Sequence, residues 1–185
     1  MTHPDTFIQP VRREIGVGVF ASRDIPRGTI VWARDPLDVA VTPAQLAAFP
    51  PVGRAQLERY LFRDDAGRLI LCWDNSRYMN HSCDPSNLVT PFGFSIAIRD
   101  LPAGAELTED YATYHLRDDE AFDCLCARPG CRGRVGPADE AALSGRWSRA
   151  IGEALELVEL AAQPLRPLVS PESLAAALAR YRVPA

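Results

Sequence analysis

Three of the chain's five cysteines fall within eight consecutive residues, as Cys124-Leu125-Cys126 and then Cys131. A C-x-C-x4-C spacing suits a metal site better than it suits core packing. The other two, Cys72 and Cys83, stand apart. An odd cysteine count with no export signal argues against a disulfide framework. Whatever the chain folds into must therefore bring a thiolate-rich loop to one point.

The rest of the composition narrows the class. At 185 residues, 47% of them apolar, one domain with an appendage can hide roughly 70% of its unfolded surface. Bulk disorder is excluded on the same grounds. No apolar run reaches the roughly 18 residues of a membrane span, and Met1–Glu14 lacks a signal-peptide core. A soluble, cytoplasmic protein is expected. The net charge of −4 excludes a general nucleic-acid binder. All 20 basic residues are Arg, and with abundant Ala and Pro this fits a GC-rich, bacterial genome.

Along the chain, residues 1–14 are polar and carry Pro4 and Pro10, which predicts a loosely ordered lead-in. Val17–Phe20 and Ile30–Trp32 read as two short strands joined through the Asp24–Gly28 turn. Residues 42–62 form a small helical insert. Thr42-Pro43-Ala44-Gln45 has the pattern of a helix start, and Pro50-Pro51 stops that helix. A second short helix is expected over 54–61. Short strands return at 69–73 and 92–98, with the polar stretch Arg77–Asn87 between them. Polar segments between apolar strands are where sites tend to lie. Leu143, Trp147, Ile151, Leu155 and Val158 recur at helical spacing and predict one amphipathic helix over 138–162. A last helix is expected from Ser170 to about Tyr181.

Four segments together resemble the SET-domain protein lysine methyltransferases. Gly16-Val17-Gly18-Val19-Phe20-Ala21 matches the family's G-x-G-x-[FY]-A opening. Arg77-Tyr78-Met79-Asn80-His81-Ser82-Cys83-Asp84-Pro85-Ser86-Asn87 matches its R-[FY]-x-N-H-S-C-x-P-N core, with one extra residue before the final Asn. Gly104–Tyr111 matches G-E-E-L-T-x-D-Y, and Cys124, Cys126 and Cys131 match the post-SET cysteines. The resemblance covers roughly residues 12–134. It implies a mainly β fold of small curled sheets with a threaded C-terminal segment, here with a short helical insert and an α-helical tail. The corresponding boundaries are a SET domain over 15–115, a post-SET zinc segment over 116–135 and a helical extension over 136–185.

The resemblance also implies roles. S-adenosylmethionine would meet the backbone of Gly16, Val17 and Gly18 and the side chains of Arg77, Asn80 and His81. Arg77 suits the cofactor carboxylate through a charge-assisted bond, and equally suits a structural role. Cys83 would join Cys124, Cys126 and Cys131 around a structural zinc, with Leu125 or Phe122 packing on the adenine. Cys72 is expected to be a buried thiol, and His115 a surface residue without a partner.

Tyr111 would be the active-site tyrosine, although a tyrosine ending such a strand is ordinarily core. Tyr60 resembles an earlier channel tyrosine and suits core packing as well. The chemistry explains the phenol. The nucleophile must be a neutral amine, and deprotonating a free lysine at pH 7 costs about 4.6 kcal/mol. A dry channel beside a positive charge lowers that cost. A phenol orients the amine without competing as a base.

Glu109 departs from the pattern, because the family usually places an apolar or aromatic residue there, lining the lysine channel. An acid at this position can solvate the ammonium or point away. The implied activity is methylation of lysine side chains on a protein, with a basic tail or histone-like protein as a suitable substrate and no direct nucleic-acid or membrane partner. A degenerate module that binds cofactor or partners without catalysis, and a zinc scaffold, are the alternatives. The apolar stripe of the tail can pack on the domain, form a homodimer or hold a partner.

Overall fold

The computed structural model describes residues 1–182. Its strands are short and sort into four small sheets among the described residues. The first sheet has the order β1-β2-β10-β7, built from β1 (Thr6–Arg12), β2 (Gly16–Ala21), β10 (Glu106–Glu109) and β7 (Asn80–His81). The second has the order β3-β9-β8, from β3 (Ile30–Ala33), β9 (Phe94–Ala97) and β8 (Asn87–Thr90). The insert contributes β4 (Val39–Val41), β6 (Leu69–Leu71) and β5 (Leu61–Arg63), with α1 (Pro43–Ala48) and α2 (Pro51–Glu58) between β4 and β5. A two-stranded ribbon, β11 (Phe122–Asp123) against β12 (Arg134–Val135), follows, and α3 (Ala138–Leu155) and α4 (Pro171–Arg180) end the chain. The mainly β architecture with a helical insert and a helical tail is the one expected.

The details differ from the sequence reading in instructive ways. Residues 6–12, expected to be loose, form β1 and pair antiparallel with β2, from Thr6 opposite Ala21 to Arg12 opposite Gly16. Pro10 lies in this strand, which has β2 on one side only, so its missing N–H breaks no central ladder. The strands at 16–21 and 30–33 do not pair with each other. They enter different sheets, because β2 takes β1 and β10 as neighbours while β3 takes β9.

Helix α1 starts as its sequence suggests. The Thr42 hydroxyl accepts from the Gln45 N–H, and the Gln45 side chain accepts from the Thr42 N–H. Helix α3 stops at Leu155, short of residue 162. Its apolar spacing continues to Val158, which is buried, but residues 156–160 are turns. There the Gln163 side chain takes over, donating to Val158 O and Gly28 O and accepting from Ile30 N.

Two apolar clusters result. One joins Val19, Ala21, Val31, Trp32 and Leu107 beneath the first sheet. The other joins Ile30, Leu88, Phe94 and Ile96 to Trp147, Ile151, Leu155 and Val158 of the tail. The apolar stripe of α3 is thus spent on the second sheet, the first of its three expected uses.

Candidate active site

The site forms where β2, β7 and β10 meet. The parallel pairing of β7 with β10 sets Asn80 beside Thr108 and His81 beside Glu109. Backbone bonds from Ser82 N to Glu109 O and from Ser86 N to Thr108 O lock the polar stretch against β10. Tyr111 follows immediately and opens a short 3₁₀ turn capped by the Asp110 side chain. The motif residues are separated in sequence but share one corner of the fold.

Asn80 lies against the glycine pair. Its side-chain amide donates to Val17 O at 3.0 Å and to Glu106 Oε1 at 2.8 Å. A Cβ on Gly18 would stand 2.4 Å from Glu106 Oε1 and 2.9 Å from Asn80 Nδ2. Only a glycine lets the Asn80 and Glu106 side chains lie this close to the strand, so Gly18 is needed for their approach. Gly16 sits at φ +95, a conformation that favours glycine. Beside it the Arg59 guanidinium donates to Ile15 O.

His81 is held on both ring nitrogens. Nδ1 accepts from the Tyr111 N–H at 3.1 Å, and Nε2 lies 3.4 Å from Cys83 Sγ. Burial, and then the nearby Arg132 charge, bring its pKa down to about 4, so the ring is neutral and can accept.

The Tyr111 hydroxyl donates to Met79 O at 2.6 Å. Burial, and then the Glu109 charge, push the phenol above its usual range, so it stays protonated. Its ring packs with Tyr114 at 5.6 Å, His81 at 5.5 Å and Phe122 at 6.0 Å between centroids. A cleft of about 310 Å³ opens here, with Tyr111, Tyr60, Arg77, Met79, Tyr114 and Phe122 among its walls. Tyr60 meets Tyr78 edge-on at 5.5 Å and so combines cleft lining with packing. The Arg77 guanidinium lies over Tyr78, and its buried Nε has no hydrogen-bond partner among the described residues.

The four cysteines converge. The Sγ atoms of Cys83, Cys124, Cys126 and Cys131 all lie within 4.8 Å of one another, and Cys83 and Cys124 are 3.6 Å apart. Four sulfurs at about 2.3 Å around a tetrahedral zinc stand about 3.8 Å apart, so the donor set and its spacing fit a metal. The cluster could hold a metal ion. Cys72 is buried elsewhere, and burial pushes its thiol up to about 12, as expected of an inert thiol.

Leu125 remains 48% exposed, whereas Phe122 packs on both His81 and Tyr111. His115, expected to lack a partner, has two. Nδ1 is 3.0 Å from Glu140 and Nε2 is 3.1 Å from Asp65, which ties the insert to α3.

Several site residues escaped the sequence reading. Arg132 reaches Cys83 Sγ at 3.4 Å and the buried Asp110 carboxylate at 2.6 Å, so it links the cysteine cluster to the residue before Tyr111. Its only sequence signal is its place directly after Cys131. Met79 acts through its backbone oxygen, which no side-chain pattern reveals. Tyr114 was findable, because residues three apart align along a 3₁₀ turn and Tyr111 begins one.

Comparison with known proteins agrees with this geometry. The SET domain family model matches residues 16–112, just over half of the chain. A "Histone-lysine N-methyltransferase, H3 lysine-4 specific" of Eremothecium gossypii is 38% identical over 85 residues, covering 40% of this chain and 9% of that protein. A "Variant-silencing SET domain-containing protein" of Plasmodium falciparum is 27% identical over 134 residues, covering 63% of this chain and 5% of its own length. "Histone-lysine N-methyltransferase trr" of Drosophila melanogaster is 28% identical over 130 residues, with 63% and 5% covered. The chain thus spans less than a tenth of the length of these relatives. The matched region contains the glycine pair, the Asn80-His81 strand and Tyr111, and the chain belongs to the SET domain family.

Proposed function

We propose that this protein transfers methyl groups from S-adenosylmethionine to lysine side chains of a protein substrate. The observation that carries the reading is Tyr111: a protonated phenol, anchored to Met79 O, in the wall of an aromatic cleft, with its backbone N–H on His81, the neighbour of Asn80. Two of the named relatives, which bear the name histone-lysine N-methyltransferase, support the same class of substrate.

Gly16, Val17, Gly18, Asn80 and His81 would hold the cofactor, with Arg77 facing its carboxylate, and the Asn80 amide already lies on the Val17 carbonyl of the glycine pair. When bound, S-adenosylmethionine supplies a methyl group on a sulfonium, which makes an in-line displacement possible. The chain's own residues do the rest. The Tyr111 oxygen has lone pairs free to accept from the amine, because its own proton is directed to Met79 O. Its raised pKa stops it from taking the proton itself. Tyr60, Tyr114 and Phe122 wall the cleft with aromatic surface, which keeps water away from the amine.

Zinc is the metal that suits the four thiolates. It would join the residue 124–131 loop to Cys83, two residues after His81. Free cysteines throughout suit a reducing cytoplasm. No helix among the described residues is long and apolar enough to cross a membrane.

Calorimetric titration with S-adenosylmethionine, followed by a methyl-transfer assay on lysine-bearing protein, tests the reading. The Tyr111→Phe variant should bind the cofactor with wild-type affinity and lose at least 100-fold in turnover. Binding without any transfer by the wild-type protein would favour a module that binds cofactor or partners. Wild-type turnover in the variant would remove Tyr111 from the chemistry.

A further inference from the structure

One buried acid has been given no role in the chemistry so far. Glu109 is 3% exposed, two residues before Tyr111. Asn87 Nδ2 donates to its Oε1 at 2.8 Å, and Ser95 Oγ donates to the same oxygen at 2.5 Å. Among the described residues, Oε2 accepts no hydrogen bond and no cation pairs with this carboxylate. Burial of a carboxyl without an ion pair is costly, so a position that keeps one needs a reason.

The reason suggested by position is a small cavity. Glu109 lines a space of about 40 Å³ behind the aromatic cleft. The two spaces share Tyr60, Phe62, Ser76, Arg77, Met79 and Tyr114 as walls, so they adjoin. Tyr111 lines the outer space and Glu109 the inner one. An opening of this size takes a water or an ammonium head.

Resting on the methyltransferase reading, we propose that Glu109 is the recognition residue for the target ammonium, receiving its hydrogen bond and then its proton at Oε2. In that step an N–H bond of the ammonium breaks and an O–H bond forms on the carboxylate. The electron pair stays on nitrogen, which leaves the neutral amine the displacement requires. Glu109 becomes a neutral acid and returns its proton to solvent after product leaves.

The surroundings agree with this role. Burial raises the Glu109 carboxyl to about 7, which narrows its distance from a lysine ammonium. The ionisable groups facing the cavity from neighbouring elements are Arg77, Cys72, Tyr60 and Tyr114, and along the chain Asp110 and then Tyr111 follow Glu109. Cys72 is a neutral thiol. Arg77, the only cation in this lining, is engaged over the Tyr78 ring at 5.2 Å and forms no ion pair with Glu109. The carboxylate is therefore free for an incoming cation.

The test uses n-butylamine, which is the lysine side chain beyond its α-carbon, with 1-butanol as its neutral counterpart. Both are titrated into the whole protein at pH 8 and followed by the broadening of their own proton NMR signals, a readout that does not depend on the residue at position 109. The wild type should bind the ammonium at least tenfold more tightly than the alcohol, and Glu109→Gln should lose that preference. Gly145→Ala, exposed in α3 with nothing within 4 Å of its added Cβ, should keep the preference, and Glu109→Asp, which keeps a carboxyl, should keep part of it, which separates charge recognition from general damage. Absence of a preference in the wild type, or an undiminished preference in Glu109→Gln, overturns the proposal. A Glu109-dependent preference in a protein that transfers no methyl groups supports the inference and defeats the functional reading alone.

Discussion

Replacing Gly18 by alanine isolates the cofactor edge from the rest of the fold. The new Cβ would meet Glu106 Oε1 at 2.4 Å, Asn80 Nδ2 at 2.9 Å and Val11 Cγ2 at 2.9 Å. All three are side-chain ends, so the backbone can stay while the side chains turn away. The casualty is the 2.8 Å bond from Asn80 to the Glu106 carboxylate. A hydrogen bond to a charged group contributes about 1.5–3 kcal/mol, with the low end appropriate at this partly open site. Alanine offsets about 0.5 kcal/mol by restricting the unfolded chain. The net expectation is a loss of about 1 kcal/mol in urea unfolding. Function should suffer more. A displaced Asn80 should weaken S-adenosylmethionine binding at least tenfold by calorimetry, which is about 1.4 kcal/mol. Gly145→Ala is the matched control, because Gly145 is exposed in α3 with nothing within 4 Å of its added Cβ. It should gain about 0.5–1 kcal/mol and leave binding unchanged. Wild-type cofactor affinity in Gly18→Ala would refute the assignment of this edge. A stability loss above about 4 kcal/mol would show that the backbone, not the side chains, had to move.

Two other expectations follow from groups already described. Cys126→Ser should reduce metal content from about one ion per chain to near none by elemental analysis, and lower stability by about 2–4 kcal/mol, since a clip between residues 41 apart closes a long loop; retained metal would refute the site. Glu109 holds a proton in the native state up to about pH 7 that the unfolded chain releases near 4.5, so the native state binds more protons in that window and stability falls as pH rises through it. Glu109→Gln removes this dependence and should be about 3 kcal/mol more stable than the wild type at pH 8 than it is at pH 4, as read by urea unfolding at the two pH values; equal differences at both would refute the raised pKa.

The sequence was informative wherever a local rule or a dense motif operates. Thr42 and Gln45 announce a capping box, and one forms. The Asn80-His81-Ser82-Cys83 run carries its meaning in residue identity, and the fold sets it beside Tyr111. Partner choice between strands was not legible, because β2 and β3 are both short apolar runs and neither encodes its neighbour. Residues 6–12 were obscured by polar side chains and Pro10, though an edge strand tolerates both. The end of α3 was misread because Val158 keeps the apolar period after the backbone has turned. Arg132, Met79 O and the His115 pair are long-range contacts, with nothing local to mark them. Glu109 stood out as an odd residue, but only its neighbours Asn87 and Ser95 show that it is held inside.

The order in which the site's parts are joined has a consequence for biosynthesis. The glycine pair, Asn80, Tyr111 and Cys83 are all made before the loop that reaches back to Cys83 through Cys124, Cys126 and Cys131. Synthesis at about 5–20 residues per second leaves several seconds between Cys83 and Cys131. Through that interval the emerging chain has a tyrosine wall and a cofactor edge but lacks Phe122, the ribbon of β11 and β12, and the Arg132 link to Asp110. On the proposed function, the proteins crowding the ribosome meet the nascent chain while this site is still unfinished.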